Sequence, residues 1–290
     1  MRALFCIFAC VVGCGSSTTT TPDGGPIQDG AALDHASPGS DASAADVVVD
    51  VVTNDANDAS DASAATTGLI VPLYTYPTDG TWTAIIQAKT AHPSVPIVAI
   101  INPDSGPGTS KSTDYATGIT NLQTAGVIVI GYVPTGYGTK SYSALPTVEA
   151  AIGDYATWYP TIDGIFFDEM SSDANEATYY QSIATYVASK NLKLTVGNPG
   201  DNVPAALLGI FTNLVIYESG GAPASSAVDA YYTKYGSQPF SFIAYGVSKL
   251  PSLQTLSMYV RWLYVTDLDG SNPYGALPSY FAAEVAALGP

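Results

Sequence analysis

Eight short apolar, β-branched runs recur between residues 69 and 267, each leading into a stretch with helical spacing, and this alternation constrains the fold more than any other feature. The runs are Leu69–Tyr74, Ile97–Asn102, Val127–Val133, Ile162–Asp168, Leu192–Gly197, Leu214–Glu218, Phe242–Gly246 and Trp262–Asp267. Continuous apolar runs of this length are what strands buried on both faces of a parallel sheet require. Their starts lie 20 to 35 residues apart, room for a strand, a loop and a crossover helix. Helical spacing follows at Trp82/Ile85/Ile86, Tyr115/Ile119/Leu122, Leu145/Val148/Ile152/Tyr155 and Tyr179/Ile183/Val187. Val203–Gly209 is a weak fifth, and Ala224–Tyr235, Leu250–Tyr259 and Leu277–Leu288 complete the set. Eight equivalent β/α units predict an α/β fold, a (β/α)₈ barrel. A doubly wound open sheet is the alternative, but no GxGxxG follows the first strand, where the chain reads YTYPTDG.

What precedes the barrel has a different composition. Met1–Cys14 carries Arg2 and a compact apolar stretch ending Val11-Val12-Gly13-Cys14, a signal sequence too short to span a membrane. That ending resembles a bacterial lipobox, in which Cys14 becomes the lipidated first residue. An ordinary secretory signal is the plainer reading, but the polar run GSSTTTT starts directly after Cys14. Residues 15–66 hold nine Asp, no Lys or Arg and no Phe, Trp or Tyr, and so lack the apolar surface to offset chain entropy. They are expected to be a disordered acidic linker, leaving 67–290 as the barrel domain. The chain is therefore expected to be exported and lipid-anchored at the cell envelope, touching membrane only through Cys14.

All three cysteines (Cys6, Cys10 and Cys14) fall in the signal, so the domain can have neither disulfides nor a thiolate metal site. Removing the nine linker Asp and Arg2 leaves sixteen acidic and eight basic residues, a net charge near −8. That charge argues against nucleic acid as a partner and is compatible with a neutral or cationic substrate. A monomer is expected.

In a (β/α)₈ barrel the active site is built at the C-terminal ends of the strands. Those ends read Tyr74 and Tyr76, Asn102 with Asp104, Tyr132, Asp168 with Glu169, Asn198 with Asp201, Glu218, Tyr245, and Asp267 with Asp269. Asn-Pro and Asp-Gly steps among them are also ordinary turn chemistry. Asp168-Glu169 has a bland reading of its own, as acids opening the next helix. Glu218 is more telling: it ends LVIYE and is followed by Ser-Gly-Gly, so no helix begins there to use its charge.

Carboxylates converging on one mouth with few cations push one another's pKa values apart. Glycoside hydrolysis needs such a pair, one protonated and one ionised, and sugar rings stack on an aromatic rim. Other chemistries fail on inventory. His92 is the domain's only histidine, which leaves no Ser-His-Asp triad and no His-rich zinc site. Gly106-Pro-Gly-Thr-Ser-Lys111 lacks phosphate-loop spacing. No metal and no cofactor are expected.

The stretches VPLYTYP, AIINPDSGPG, VIGYVPTGYG, IDGIFFDEMSSD, GNPG, VIYE and YVTD together resemble the spherulin-4-like (spherulation-specific) family, glycoside hydrolase family 135, over about 69–288. The resemblance implies a (β/α)₈ barrel and endo-hydrolysis of α-1,4-linked galactosamine and N-acetylgalactosamine polymers. It places the family's acidic residues on Asp168, Glu169 and Glu218. The expected working pair is Asp168, as nucleophile or electrostatic stabiliser, with Glu218 as general acid/base. Glu169 is expected to bind substrate or set a pKa. Tyr74, Asn102, Tyr132, Asn198, Tyr245 and Asp267 are the expected substrate contacts. The acidic mouth points to a partly deacetylated, cationic chain as substrate. The alternatives are a non-catalytic polysaccharide-binding or structural lipoprotein, or a hydrolase of another matrix or cell-wall glycan. Neighbours on a regular strand face opposite ways, so only one of Asp168 and Glu169 can enter the mouth, and the sequence leaves open which.

Overall fold

The computed structural model describes residues 66–235 and 240–289. The expected signal, Cys14 and nearly all of the acidic linker lie outside the described residues.

Eight parallel strands close into a barrel in sequential order: β1 (Gly68–Leu73), β2 (Ile97–Ile101), β3 (Ile128–Pro134), β4 (Gly164–Asp168), β5 (Leu194–Gly197), β6 (Asn213–Gly220), β7 (Phe240–Tyr245) and β8 (Trp262–Val265). All eight expected strands are present within a few residues of their expected bounds. β1 and β2 are buried at every position, as the unbroken apolar runs require. Closure leaves no edge to protect.

Among the described residues, seven helices pack outside: α1 (Gly80–Ala91), α2 (Thr113–Thr124), α3 (Leu145–Trp158), α4 (Ala177–Ser189), α5 (Ser225–Tyr235), α6 (Leu253–Leu256) and α7 (Phe281–Leu288). Asp79 caps α1 by accepting from Thr81 N–H, and Ser112 caps α2 by accepting from Tyr115 N–H. Their apolar stripes point inward through Trp82 and Ile85, Tyr115 and Ile119, Ile152 and Tyr155, and Tyr180 and Ile183. Three expected helices are shorter than their spacing suggested. The fifth is a single 3₁₀ turn, Ala205–Leu207, squeezed between Pro204 and Gly209. The expected Leu250–Tyr259 helix shrinks to α6, since Pro251 sits at its start. The last begins at Phe281 because a turn from Pro278 occupies the preceding residues.

The seam between β1 and β8 is short, with Gly68↔Trp262 and Leu69↔Leu263 in register, as few pairs as join β5 to β6. Above it, Val265 N–H donates to Glu284 Oε1 of α7 at 2.7 Å instead of to a strand carbonyl. Glu284 is fully buried, and burial pushes its carboxyl well above the usual carboxylate range, which favours the uncharged form. An unsatisfied buried N–H there would cost about 1–3 kcal/mol.

Candidate active site

The C-terminal rim gathers two carboxylates into one hydrogen-bonded constellation. On β4, Gly164, Phe166 and Asp168 share a face by alternation. Phe166 stacks on Tyr132 with centroids 6.2 Å apart, while Phe167 on the other face stacks on Phe211, which Tyr180 of α4 covers. The Phe167 face therefore meets the helices, and Asp168 points into the barrel mouth.

Glu169 leaves the strand. Its φ of +52° is a left-handed conformation that costs a non-glycine residue about 1–2 kcal/mol. Thr135, fully buried, holds it: its hydroxyl donates to the carbonyls of both Asp168 and Glu169 at 2.9 Å. Tyr137, itself at φ +56°, donates its N–H to the Glu169 carbonyl at 2.7 Å. The Glu169 side chain accepts from Tyr142 O–H at 2.7 Å, on the loop after β3. The two adjacent acids thus part ways, one into the mouth and one to its rim.

Glu218 reaches the mouth through an irregularity in β6. The β6–β7 register runs Leu214↔Phe240 and Val215↔Ser241, then jumps to Tyr217↔Phe242, leaving Ile216 as an extra residue. Such a bulge breaks the alternation and re-aims the side chains beyond it.

Asn198, directly after β5, links the two acids. Its Nδ2 donates to Asp168 Oδ1 at 2.8 Å and to Glu218 Oε2 at 2.5 Å. The outer oxygens are held by tyrosines: Tyr132 O–H donates to Asp168 Oδ2 at 2.7 Å, and Tyr274 O–H donates to Glu218 Oε1 at 2.5 Å. Tyr74 closes the ring, standing edge-on to Tyr132 at 5.6 Å and to Tyr274 at 5.7 Å. Burial, and next the Glu218 charge, push the Asp168 carboxyl up to about 7. Two carboxylates this close cannot both ionise easily, so the pair holds one proton up to neutral pH. Burial, with the carboxylates behind it, raises Tyr74, Tyr132 and Tyr274 well above the ordinary phenol value, so all three stay protonated.

The remaining expected contacts stand elsewhere. The Asn102 side-chain oxygen accepts from Gly106 N–H at 2.9 Å and shapes the loop after β2. Asp267 accepts from Ser279 through both its N–H and its hydroxyl, which pulls its carboxyl below the usual value. It thereby ties down the 268–279 loop that presents Tyr274. Tyr245 lies against Gly220 on the β6–β7 side. Tyr76 is half exposed on the rim, its hydroxyl donating to Asp114 at 2.6 Å.

Sequence reasoning missed Tyr274, Thr135 and Tyr142. Tyr274 sits inside SNPYGALP, a stretch that reads as turn; its one signal is a bulky aromatic kept between proline and glycine. Among the described residues, no group of three or more His, Cys, Asp or Glu is placed to hold a metal ion.

Comparison with known proteins follows the same stretch. The model of the spherulation-specific family 4 matches residues 68–288. Spherulin-4 of Physarum polycephalum is 34% identical over 236 residues, spanning 76% of this chain and 69% of that one. Among solved structures, Sph3 of Aspergillus clavatus, in complex with GalNAc, superposes with a TM-score of 0.69 at 22% identity, covering 78% of this chain and 98% of its own. At that identity the superposition carries the barrel architecture.

Proposed function

The chain belongs to the spherulation-specific family 4, and from the geometry of its barrel mouth we propose that it is a glycoside hydrolase cutting within an amino-sugar polysaccharide. The observation that carries this reading is the Asp168–Asn198–Glu218 bridge. The facing oxygens, bound to one nitrogen at 2.8 and 2.5 Å, can lie no more than about 5.3 Å apart, which favours the close pair of retaining glycosidases (about 5–5.5 Å) over the roughly 6.5–9.5 Å of inverting ones.

In the proposed mechanism Asp168, on the inward face of a regular strand, attacks the anomeric carbon. Glu218 gives its proton to the departing glycosidic oxygen, and a covalent glycosyl–Asp168 ester results. Glu218, now ionised, takes a proton from water, the water displaces Asp168, and the sugar is released with its configuration kept. The reaction starts from the singly protonated pair once its shared proton has passed from Asp168, whose carboxyl pKa is raised by burial and the neighbouring charge, to Glu218 on the leaving-group side. Glu169 has one oxygen engaged by Tyr142 and sits one residue from the nucleophile, placed to meet a protonated amine of a deacetylated sugar. That a relative of the same fold was solved with GalNAc supports an amino sugar as the bound unit. The proposed substrate is α-1,4-linked galactosamine and N-acetylgalactosamine polymer.

A reducing-end assay of the full chain against a panel of polymers tests this. The expected result is cleavage of the α-1,4 amino-sugar polymer, faster when it is partly deacetylated. Binding without any new reducing ends would refute the enzyme reading, and cleavage confined to another glycan would refute the substrate.

A further inference from the structure

We propose that Asn198 is a positioning residue that sets the spacing of the Asp168–Glu218 pair and the sharing of its proton, rather than a contact to substrate. This inference rests on the glycosidase reading of the same site. The residue is only 5% exposed. A primary amide has two N–H donors, and both are spent, one on each carboxylate. None is left for a sugar hydroxyl.

The opposite amide orientation would set a carbonyl oxygen against two carboxylate oxygens, acceptor against acceptor. The hydrogen-bond network therefore fixes which atom faces the pair. The arrangement is costly: Asn198 Oδ1 is buried with no hydrogen-bond partner among the described residues. A buried oxygen left without a partner is uncommon in folded proteins and calls for a role beyond packing.

Asn198 is also anchored to the strand that carries its first partner. Its N–H donates to the Phe167 carbonyl at 2.8 Å, and its carbonyl accepts from Met170 N–H at 3.0 Å. These two bonds bracket Asp168 and Glu169 in β4 and the turn after it. A shift of β5 against β4 therefore moves the amide and Asp168 together. Glu218 N–H donates to the Gly200 carbonyl at 3.1 Å, which ties β6 to the same short segment. Residues 198–200 are thus a bridge between the two acid-bearing strands, with the Asn198 amide as its chemical end.

Donation to both carboxyls stabilises negative charge on either one. The proton can then sit on Asp168 or on Glu218 without breaking the bridge, as the exchange of roles during hydrolysis requires. The groups facing the pair from the surrounding elements are Tyr74 after β1, Tyr132 on β3 and Tyr274 after β8, all protonated, and Asn198 itself.

The test compares Asn198→Ala and Asn198→Asp with wild type in the full chain, after thermal melts show each variant folded. Two readouts are taken: the pH profile of kcat/KM, and ¹³C-carboxyl NMR titration, which needs no activity. In wild type, activity falls as pH rises through about 7, because the pair then loses its proton. Both variants are expected to move that limb, and the NMR midpoint, upward by about one pH unit or more. They should also lower kcat roughly 10- to 100-fold, with KM changed little. A raised KM with kcat and both midpoints unchanged would overturn the proposal and make Asn198 a substrate contact. If wild type cleaves nothing, the glycosidase reading fails while the NMR midpoints still decide the bridge. If only Asn198→Asp fails to fold, Asn198→Ala decides alone.

Discussion

Glu218→Gln is expected to lower turnover at least about 10³-fold while leaving polymer affinity within a few-fold of wild type. Glutamine keeps the volume and shape of the side chain. Its carbonyl oxygen can accept from Asn198, and the Tyr274 hydroxyl can turn to accept from its amide, so the constellation of the folded site survives. What disappears is the carboxyl paired with Asp168 that hands a proton to the leaving oxygen. The measurement is turnover by reducing-end release, set against affinity by calorimetry. Unchanged turnover would remove Glu218 from the reaction, and lost binding would assign it to substrate recognition instead. Because the two quantities separate chemistry from binding, the experiment also distinguishes the enzyme from a polysaccharide-binding barrel.

Gly164→Ala is expected to destabilise the domain by roughly 3 kcal/mol or more, the upper range for overpacking. A methyl group at Gly164 would lie 1.7 Å from the Leu194 carbonyl oxygen, 2.6 Å from its carbon and 3.0 Å from its Cα. All three are backbone atoms of the neighbouring strand, so no rotamer change relieves the clash. β4 and β5 must separate, and these strands carry Asp168 and lead into Asn198. In a domain of this size the melting temperature should fall by roughly 6–12 °C, or the protein should not accumulate at all. Gly80→Ala is the control: it meets no atom within 4 Å at the start of α1 and should melt within about 2 °C of wild type. Equal melting of both variants would contradict the β4–β5 packing.

The parts of this molecule that obey one periodicity were legible in its sequence. Eight buried strands announce themselves because each must be apolar on both faces, and their order fixes which residues reach the rim. Asp168 and Glu218 were visible for that reason. What was hidden depends on departures from periodicity. The choice between Asp168 and Glu169 turns on a glutamate in left-handed backbone, and its support comes from Thr135, which is 33 residues away in sequence from Asp168. The aim of Glu218 depends on a bulge at Ile216, in an apolar run with no glycine to mark it. Tyr274 belongs to a loop whose composition reads as turn, and only the folded chain brings it to Glu218 across 56 residues. Asn102 and Asp267 sit at strand ends as expected, yet their side chains are spent on shaping loops. Strand ends name the candidates, and hydrogen bonds between distant loops decide among them.

Two carboxylates held by one amide are proposed to break the glycosidic bond by double displacement. The most direct measurement is ¹H NMR of the product formed in the first minutes of hydrolysis of the α-1,4 amino-sugar polymer by the full chain, before mutarotation scrambles the anomers. With configuration kept, the new reducing ends are expected to appear first as the α-anomer. The β-anomer appearing first would mean inversion and would contradict the assignment of Asp168 as nucleophile with Glu218 as its acid/base partner.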